Sequence, residues 1–333
     1  MFNMLDFLEY SEVNMDNQLL HHLDVLLPYQ NTEDAKKFLQ SSYHLLALPN
    51  AEEAAYNNCL RFIYSLEHGN VFLRQSAQSP LSIQPVLIFY GLSHYIKACL
   101  LAVDPSYPAT VHVLAHGLST RKRKKQNYSF LKDEIRTQRH GLFGHFSEKM
   151  FHVEHLEGFK LNMRDLLMQI PELARVFSFQ TGEQPFHLLQ KHNMDLYRLP
   201  SQILDDYQMT EKRLSDFLEQ KTNGCITVDK AHKNDVWIKI SSEIPPAPCR
   251  FDMTANHWVF SRHKTLEAFY PELLVYYALL YNLSMIARYE TEWWYELLKH
   301  APGKEYSLIK QFLHISQCKI PLLVEQYLDK GIQ

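Results

Sequence analysis

The sequence is poor in the features that identify disulfide-rich, fibrous and membrane-spanning proteins. Its five cysteines are odd in number, widely spaced and never in a CxxC pair, so neither a disulfide framework nor a cysteine zinc site is expected. With only 10 glycines and 15 prolines in 333 residues, the chain has no low-complexity or collagen-like character. The longest apolar run, LLVYYALLYNLSMIA, is interrupted by Asn282 and Ser284. It falls short of the roughly 18 residues that a membrane span needs.

The N-terminal residues also lack the pattern of a secretory leader. The opening stretch MFNMLDFLEYSEVNMD carries acidic residues where a signal peptide needs a basic region. Scattered single cysteines are typical of proteins that stay in a reducing compartment. These features together predict a cytoplasmic protein with no membrane partner.

Motifs for common cofactors and metals are missing as well. The chain has no P-loop, no GxGxxG, no GxSxG and no HExxH string. The stretch HFSEKMFHVEH, residues 145–155, gathers three histidines and two glutamates, but their spacing matches no standard zinc site. We therefore predict neither a metal nor a cofactor, and the common nucleotide hydrolases, dehydrogenases and α/β-hydrolases are disfavoured.

What the chain does have is a concentrated basic island. HGLSTRKRKKQNYSFLKDEIRTQRHGLFGHF, residues 116–146, contains a block of five consecutive basic residues, three histidines and three glycines. Between Arg121 and Arg139 there are eight Lys or Arg against two Asp or Glu, a local balance of +6 in a chain of net charge −3. A basic island on an otherwise acidic protein indicates a local binding device, not a general property of the surface.

The basic island suits contact with phosphates. Lysine and arginine side chains pair with backbone phosphates, and interleaved aromatic rings can stack on bases. The residues predicted to bind phosphate or nucleic acid are Arg121, Lys122, Arg123, Lys124, Lys125, Tyr128 and Arg136. The alternative is that adjacent like charges simply form a solvated loop.

Helical periodicity dominates the rest of the chain. Asn31 or Thr32, then Asn50 and Thr210, are expected to cap helices, and Pro85 occupies a plausible first helical position. Helices are predicted within 15–75, at 85–103, through most of 160–220, at 271–300 and at about 305–330.

Alternating apolar and polar residues interrupt this helical pattern in one region. ITVD and VWIKIS, separated by a polar turn, predict one β-hairpin. CRFDMTANHWVFS predicts a second strand pair around Thr254, Ala255 and Asn256. The expected architecture is mainly α-helical, with a small antiparallel β-hairpin insertion at 222–262.

Two strongly apolar helices each carry a stripe of polar residues. The stripes recur at spacings of three or four residues, which places each stripe on one helix face. If the two stripes meet, Lys97, Arg288 and a histidine would share a pocket suited to an anionic ligand such as a nucleotide. The predicted pocket residues are Tyr90, His94, Lys97, Tyr281, Ser284 and Arg288. The alternative is a buried hydrogen-bond network in which neighbours and Glu290 or Glu292 satisfy the arginine.

Several long strings between about residues 80 and 300 resemble one bacterial family. PVLIFYGLSHYIKACLL, HGLSTRKRKKQNYSFLKDE, RHGLFGHF and LLVYYALLYNLSMIARYETEWW are similar to the YaaC family of Bacillus-type bacteria. The resemblance implies a cytoplasmic protein and brings no firmly established activity with it.

A second resemblance carries chemistry. FYGLSHYIKACLLAVDPSYPATVHVLAHG is similar to the opening helices of HEPN domains, many of which are metal-independent ribonucleases with paired sites in a dimer. The family's arginine and histidine correspond to Arg139 and His145, which five residues separate. The family motif sits at a helix end, whereas Gly141 and Gly144 here favour a turn or strand.

The resemblance to HEPN domains implies a HEPN-like helical bundle, a homodimer and a catalytic pair. A histidine that titrates near neutrality suits activation of a ribose 2′-OH, and an arginine suits stabilisation of the charged phosphorane. His145 and Arg139 are therefore the predicted catalytic residues. Neither role follows from composition or spacing alone.

The sequence thus predicts one domain over 1–333, made of four parts. These are N-terminal helices at 15–75, HEPN-like helices with the basic island at 80–160, the insertion at 222–262 and C-terminal helices at 271–330. The leading hypothesis is a protein that binds RNA or a nucleotide, with ribonuclease activity as an extension. The alternative is a non-enzymatic regulatory or scaffold protein whose basic loop docks on an acidic protein partner.

Overall fold

The computed structural model describes residues 22–120, 128–155, 157–231, 234–300 and 303–330, with the backbone alone at residues 231, 300 and 330. Helices make up most of these residues, and the strands form small antiparallel sheets, as predicted. Residues 22–24 are helical. The further α-helices are α1 (Thr32–Leu45), α2 (Ala51–Ala77), α3 (Gln84–Val103), α4 (Leu142–Phe151), α5 (Met163–Leu167), α6 (Ala174–Thr181), α7 (Gln202–Tyr207), α8 (Glu211–Lys221), α9 (Glu272–Tyr289), α10 (Thr291–Tyr295) and α11 (Lys304–Lys330).

The predicted helix starts are found, with one difference in detail. The Asn31 side chain accepts hydrogen bonds from the N–H groups of Glu33 (2.8 Å) and Asp34 (3.3 Å), which satisfies two of the free donors of α1. Asn50 stands at the N-cap of α2 but makes no capping hydrogen bond through its side chain. Thr210 caps α8, as expected.

Helix α3 is the centre of the helical body. It packs against α2, α9 and α11, and it buries residues around its whole circumference. By length and composition alone this helix is apolar enough to cross a membrane, but 67% of the relevant window is buried inside the protein. A central helix in a protein core has the same composition.

Helices α2 and α3 approach each other closely at two glycines. A Cβ atom on Gly69 would lie 2.4 Å from the Tyr95 ring, and one on Gly91 would lie 3.2 Å from Leu73. The two helices can therefore cross at this distance only because these positions carry no side chain. The crossing places His68 of α2 with its ring centroid 4.6 Å from that of His94 on α3.

The C-terminal apolar segment is divided between two helices. Residues 271–300 were expected to form one helix, but α9 ends at Tyr289, and Glu290 has a non-helical backbone with φ −117° and ψ 50°. Helix α10 then starts at Thr291 and continues into a wider π-type turn, Glu296–His300. The final predicted helix corresponds closely to α11.

The strands form three small antiparallel sheets. The first sheet is β1 (Leu118–Ser119), β2 (Glu134–Thr137) and β3 (Lys160–Asn162) in that order. The second has the order β4 (Phe186–Leu188), β10 (His257–Ser261) and β9 (Cys249–Asp252). The third has the order β5 (Gln190–Lys191), β6 (Leu196–Pro200), β8 (Asp235–Ile240) and β7 (Ile226–Ala231).

Both predicted hairpins, β7–β8 and β9–β10, are confirmed, but the β region is larger than predicted. The helical prediction for 160–220 is wrong at β4, β5 and β6, which begin the region at Phe186 instead of residue 222. These strands are short, and β4 pairs with β10, where Phe186 faces Ser261. Pairing across such a separation leaves no local sequence period to recognise.

The buried hydrophobic residues form two clusters. The larger cluster lies among the helices and β1–β3, and the smaller one lies between Leu189 and Phe260, under the second and third sheets and α7–α8. A buried cluster of charged side chains connects the helices with the second sheet. Lys319 of α11 lies 2.8 Å from both Glu172 and Glu272 and donates a hydrogen bond of 2.8 Å to the carbonyl of Phe251 in β9.

Substitution of Gly69 by alanine tests the α2–α3 crossing. The added Cβ would meet the Tyr95 ring at 2.4 Å, so we expect a loss of stability of about 1–3 kcal/mol. Gly144 is the matched control: it lies inside α4 with no atom within 4 Å of an added Cβ. Gly144→Ala should raise stability by about 0.5–1 kcal/mol. Urea unfolding monitored by circular dichroism measures both changes. A Gly69→Ala variant as stable as wild type would contradict the close crossing.

His155 gives the protein a predicted pH dependence. Its Nε2 lies 2.8 Å from Ser147 Oγ and its Nδ1 lies 3.2 Å from Tyr270 Oη, and burial lowers the pKa of the imidazole to about 4 from 6.5. Between these values the unfolded chain binds a proton that the folded chain does not, so stability falls as the pH falls through this window.

Urea unfolding at pH 7 and at about pH 4.5 checks this expectation. His155→Gln should lose less stability than wild type between the two conditions, because glutamine takes up no proton. His44→Gln, at an exposed position on α1, is the control and should follow the wild-type loss. An equal loss for His155→Gln and wild type would rule out this role for His155.

Candidate functional site

The two polar stripes predicted from sequence lie on helices that pack together. Helix α3 contacts α9, and the ring of Phe89 lies 5.1 Å from that of Tyr277 and 5.8 Å from that of Tyr281. Both tyrosine hydroxyls donate to backbone carbonyls in the first residues of the basic island. Tyr277 bonds to His116 O at 3.0 Å, and Tyr281 bonds to Leu118 O at 2.8 Å.

His116 lies where the two stripes meet. Its ring centroid is 5.8 Å from that of Tyr281 and 6.3 Å from that of Tyr90. Burial lowers the pKa of His116, and the positive charges of Arg288 and Lys97 lower it further. Lys97 of α3 and Arg288 of α9 therefore both lie near enough to His116 to lower its pKa.

The same site depresses the pKa of a second histidine. Burial, and then the charges of Lys97 and His68, lower the pKa of His94 to about 4 from 6.5, so this imidazole is neutral at pH 7. Burial also lowers the pKa of Lys97, because an ammonium loses hydration there. Such shifts are frequent at binding sites.

Neither cation is neutralised within the described part of the chain. No carboxylate lies within 4.0 Å of Lys97 or Arg288 among the described residues. The Arg288 guanidinium donates to Ser284 O at 3.1 Å and lies 5.2 Å from the Tyr289 ring centroid. The alternative predicted that Glu290 or Glu292 would help to satisfy Arg288. Among the described residues, neither glutamate forms an ion pair with this arginine.

Ser284 has a structural role. Its hydroxyl is fully buried and donates to Tyr281 O at 2.8 Å, within α9 itself. Its carbonyl, by contrast, accepts the Arg288 hydrogen bond. Ser284 thus orients the arginine through its backbone and offers no free hydroxyl.

Helix α2 supplies aromatic rings that the sequence did not indicate. Phe72 stacks on Tyr90, with centroids 5.8 Å apart, and on His94, with centroids 5.7 Å apart and planes 15° from parallel. His68 and Phe72 are four residues apart, a spacing that places both on one helix face, but this signal is common in amphipathic helices. We name this site the cationic cleft. Its residues are Phe72, Tyr90, His94, Lys97, His116, Tyr281 and Arg288.

The basic block Arg121–Lys125 lies outside the described residues, but the residues beside it are described. Thr120 Oγ1 donates to Asn282 Oδ1 of α9 at 3.2 Å. Tyr128 packs edge-on against Trp293 of α10, with centroids 4.6 Å apart, and its hydroxyl donates to Asp133 at 2.5 Å. The described residues Thr120 and Tyr128 thus contact α9 and α10, respectively.

Tyr128 and Arg136, both predicted to bind nucleic acid, already have protein contacts. The Tyr128 ring and hydroxyl are engaged by Trp293 and Asp133, as described above. Arg136, on β2, lies 3.6 Å from Glu134, although half of its side chain stays exposed. Arg136 thus remains accessible to a ligand, whereas Tyr128 acts in the structure as an anchor.

The predicted catalytic pair has a different environment from the cleft. Arg139 is exposed in the turn after β2, and His145 lies in the first turns of α4. The predicted turn is found at Gly141, where φ is 126° and an added Cβ would lie 2.3 Å from Gly117 N. At Gly144 the prediction of a turn or strand is wrong, because α4 includes this residue.

His145 is held by two neighbours. Its Nε2 lies 2.9 Å from Asp104 Oδ2, its ring stacks on Tyr107 with centroids 5.6 Å apart, and its side chain is only 16% exposed. Among the described residues, no hydrogen bond joins Arg139 to His145. The described hydrogen bond of the His145 ring goes to Asp104 and not to Arg139.

Comparison with known proteins identifies the family and no individual relative. The described residues contain no group of three His, Cys, Asp or Glu side chains arranged for a metal ion. No curated protein matches the chain, and no solved structure matches it. The profile of the family described as YaaC-like Protein matches residues 27–328. That match covers the cleft, the basic island and nearly all of both hydrophobic clusters, and the chain therefore belongs to the YaaC-like protein family.

Proposed function

We propose that the protein binds a phosphate-bearing ligand, a nucleotide or single-stranded RNA, in the cationic cleft. Arg121–Lys125 would extend the same binding surface. The observation that supports the proposal most directly concerns Lys97 and Arg288. Neither cation has a carboxylate within 4.0 Å among the described residues, and both lower the pKa of half-buried His116, whose ring lies near Tyr90 and Tyr281.

An uncompensated, half-buried cation favours a bound anion. Burial removes hydration from Lys97, and each unpaired charge is costly in a medium of low dielectric constant. A phosphate group would restore the lost interaction through charge-assisted hydrogen bonds to the ammonium and the guanidinium. Burial first, and then nearby positive charge, lowers the pKa of His94 and of His116, and each imidazole in its neutral form can accept or donate a single hydrogen bond.

The aromatic residues of the cleft suit the rest of such a ligand. Phe72, Tyr90 and His94 present rings that already stack on one another, and nucleobases stack on such rings. A site that combines cations with aromatic rings suits a nucleotide, which carries both phosphate and base.

The HEPN-like bundle, the homodimer and the ribonuclease role of Arg139 and His145 stay hypotheses with less support. His145 Nε2 is engaged by Asp104, and the chain has no described contact between the two residues of the predicted pair. A carboxylate that holds an imidazole can orient a general base, so Asp104 would serve this role if RNA is cleaved. The scaffold alternative would use the same basic block on an acidic protein.

Neutralising either cleft cation should weaken ligand binding. Lys97→Met and Arg288→Met should each raise the Kd for a fluorescent ATP analogue by about tenfold, because each removes a charged hydrogen-bond partner. Lys239→Met is the control, since Lys239 pairs with Asp229 on the β7–β8 hairpin, outside the cleft. Fluorescence anisotropy at fixed salt measures all four proteins.

Two results would contradict the cleft as the site. One is equal affinity of wild type and both cleft variants, and the other is failure of wild type to bind either the ATP analogue or a labelled oligoadenylate. The second result would favour the scaffold alternative, which a stoichiometric protein partner in a pull-down would then support.

Replacing Arg121–Lys125 together by serine separates RNA from nucleotide. For every phosphate that the variant no longer neutralises, the slope of log K against log salt should become shallower by about 0.7 for a single strand. The oligoadenylate slope should therefore fall by several times this amount, while affinity for the mononucleotide stays near wild type. An unchanged slope would exclude the block from the binding surface.

Cleavage of RNA is tested with wild type and two further variants. Wild type, Arg139→Ala and His145→Ala are incubated with labelled RNA and EDTA, and products are resolved on a gel. If the RNA stays intact with all three proteins, the ribonuclease role is excluded and only the binding function remains. Cleavage by wild type that both variants lose would establish the ribonuclease role.

A further inference from the structure

Helix α2 carries a row of large apolar side chains on its solvent-facing side. Tyr56, Leu60, Tyr64 and Val71 recur at spacings of four and seven residues and are each 47–68% exposed. These spacings place all four residues on one face of the helix. Single exposed apolar residues are common on protein surfaces, but a row of four marks an interaction surface. We name this face, within residues 53–74, the α2 stripe.

Charged residues stand at the two ends of the α2 stripe. Glu53 precedes Tyr56 by three residues and Arg74 follows Val71 by three residues, so both share the face of the apolar side chains. Both side chains are exposed, and neither forms an ion pair within the part of the chain that the structure describes. The α2 stripe thus has an acidic start, an apolar middle and a basic end.

This order of charges is complementary to itself in only one orientation. Two parallel copies of α2 would place Glu53 against Glu53 and Arg74 against Arg74. Two antiparallel copies, related by a two-fold axis near Tyr64, place Glu53 of each copy opposite Arg74 of the other and Tyr56 opposite Val71. Because each of these contacts then forms twice, the surface fits a second copy of the same chain.

We infer that the protein forms a reversible antiparallel homodimer through the α2 stripe. A helix rises about 1.5 Å per residue, so the paired segments are about 32 Å long. Glu67 lies within the stripe and has no ion-pair partner among the described residues. This carboxylate loses hydration when the two helices meet, which makes the association weaker than that of a permanent dimer. The α2 stripe supports a homodimer independently of the resemblance to HEPN domains and of the cationic cleft.

Sedimentation velocity of the full chain at about 1 to 100 μM tests the dimer. The mass of wild type should rise from 39.3 kDa toward twice this value as the concentration increases. Leu60→Glu and Tyr64→Glu each place a carboxylate in the middle of the α2 stripe and should raise the dimer Kd by at least about tenfold. Phe179→Glu, at an exposed position of α6, is the matched control and should dimerise like wild type. A wild type that stays monomeric, or a Leu60→Glu variant that dimerises equally well, overturns the inference.

Exchange of the end charges tests the antiparallel orientation. Glu53→Arg alone, or Arg74→Glu alone, brings like charges together at both ends of the interface and should raise the dimer Kd by about fivefold at low salt. The double variant Glu53→Arg/Arg74→Glu restores opposite charges and should dimerise nearly as well as wild type. No recovery in the double variant overturns the antiparallel pairing, and that result is expected if residues 1–21 or a different protein cover the stripe.

Glu67→Leu tests the reversible character of the dimer. Because leucine removes the carboxylate that must be dehydrated, the dimer Kd should fall by about tenfold. An unchanged Kd would place Glu67 outside the interface and contradict the pairing about Tyr64.

Discussion

The site depends on the close crossing of α2 and α3 at Gly69 and Gly91. Because neither position has a side chain, the ring of Tyr95 and the side chain of Leu73 occupy the space between the helices. This crossing brings Phe72 onto Tyr90 and His94, and it leaves Lys97 one turn further along α3, facing the same side. The cationic cleft is thus a consequence of how two helices pack, and its rings would separate if the helices moved apart.

The site also depends on α9, which packs against α3 and bonds to the first residues of the basic island. Tyr277 and Tyr281 use their hydroxyls to fix the backbone at His116 and Leu118. Phe143 N also donates to His116 O at 3.1 Å, so α4 is bonded to the same segment. These hydrogen bonds fix the backbone of His116 against α9 and α4, and its ring thereby lies beside Tyr281 and Tyr90.

The helices that position the site could be predicted from sequence, but the site's composition only in part. Apolar periodicity with Asn31 and Pro85 at the starts located α1 and α3, because capping and helix period are local properties. The polar stripes on α3 and α9 predicted Lys97 and Arg288 as site residues for the same reason. His116 and Phe72 were missed since their role arises from contacts between distant segments. The contact between Asp104 and His145, which are 41 residues apart, could not be predicted either. The same holds for the short strands β4–β6. Motif spacing suggested a catalytic pair where the fold gives His145 another partner.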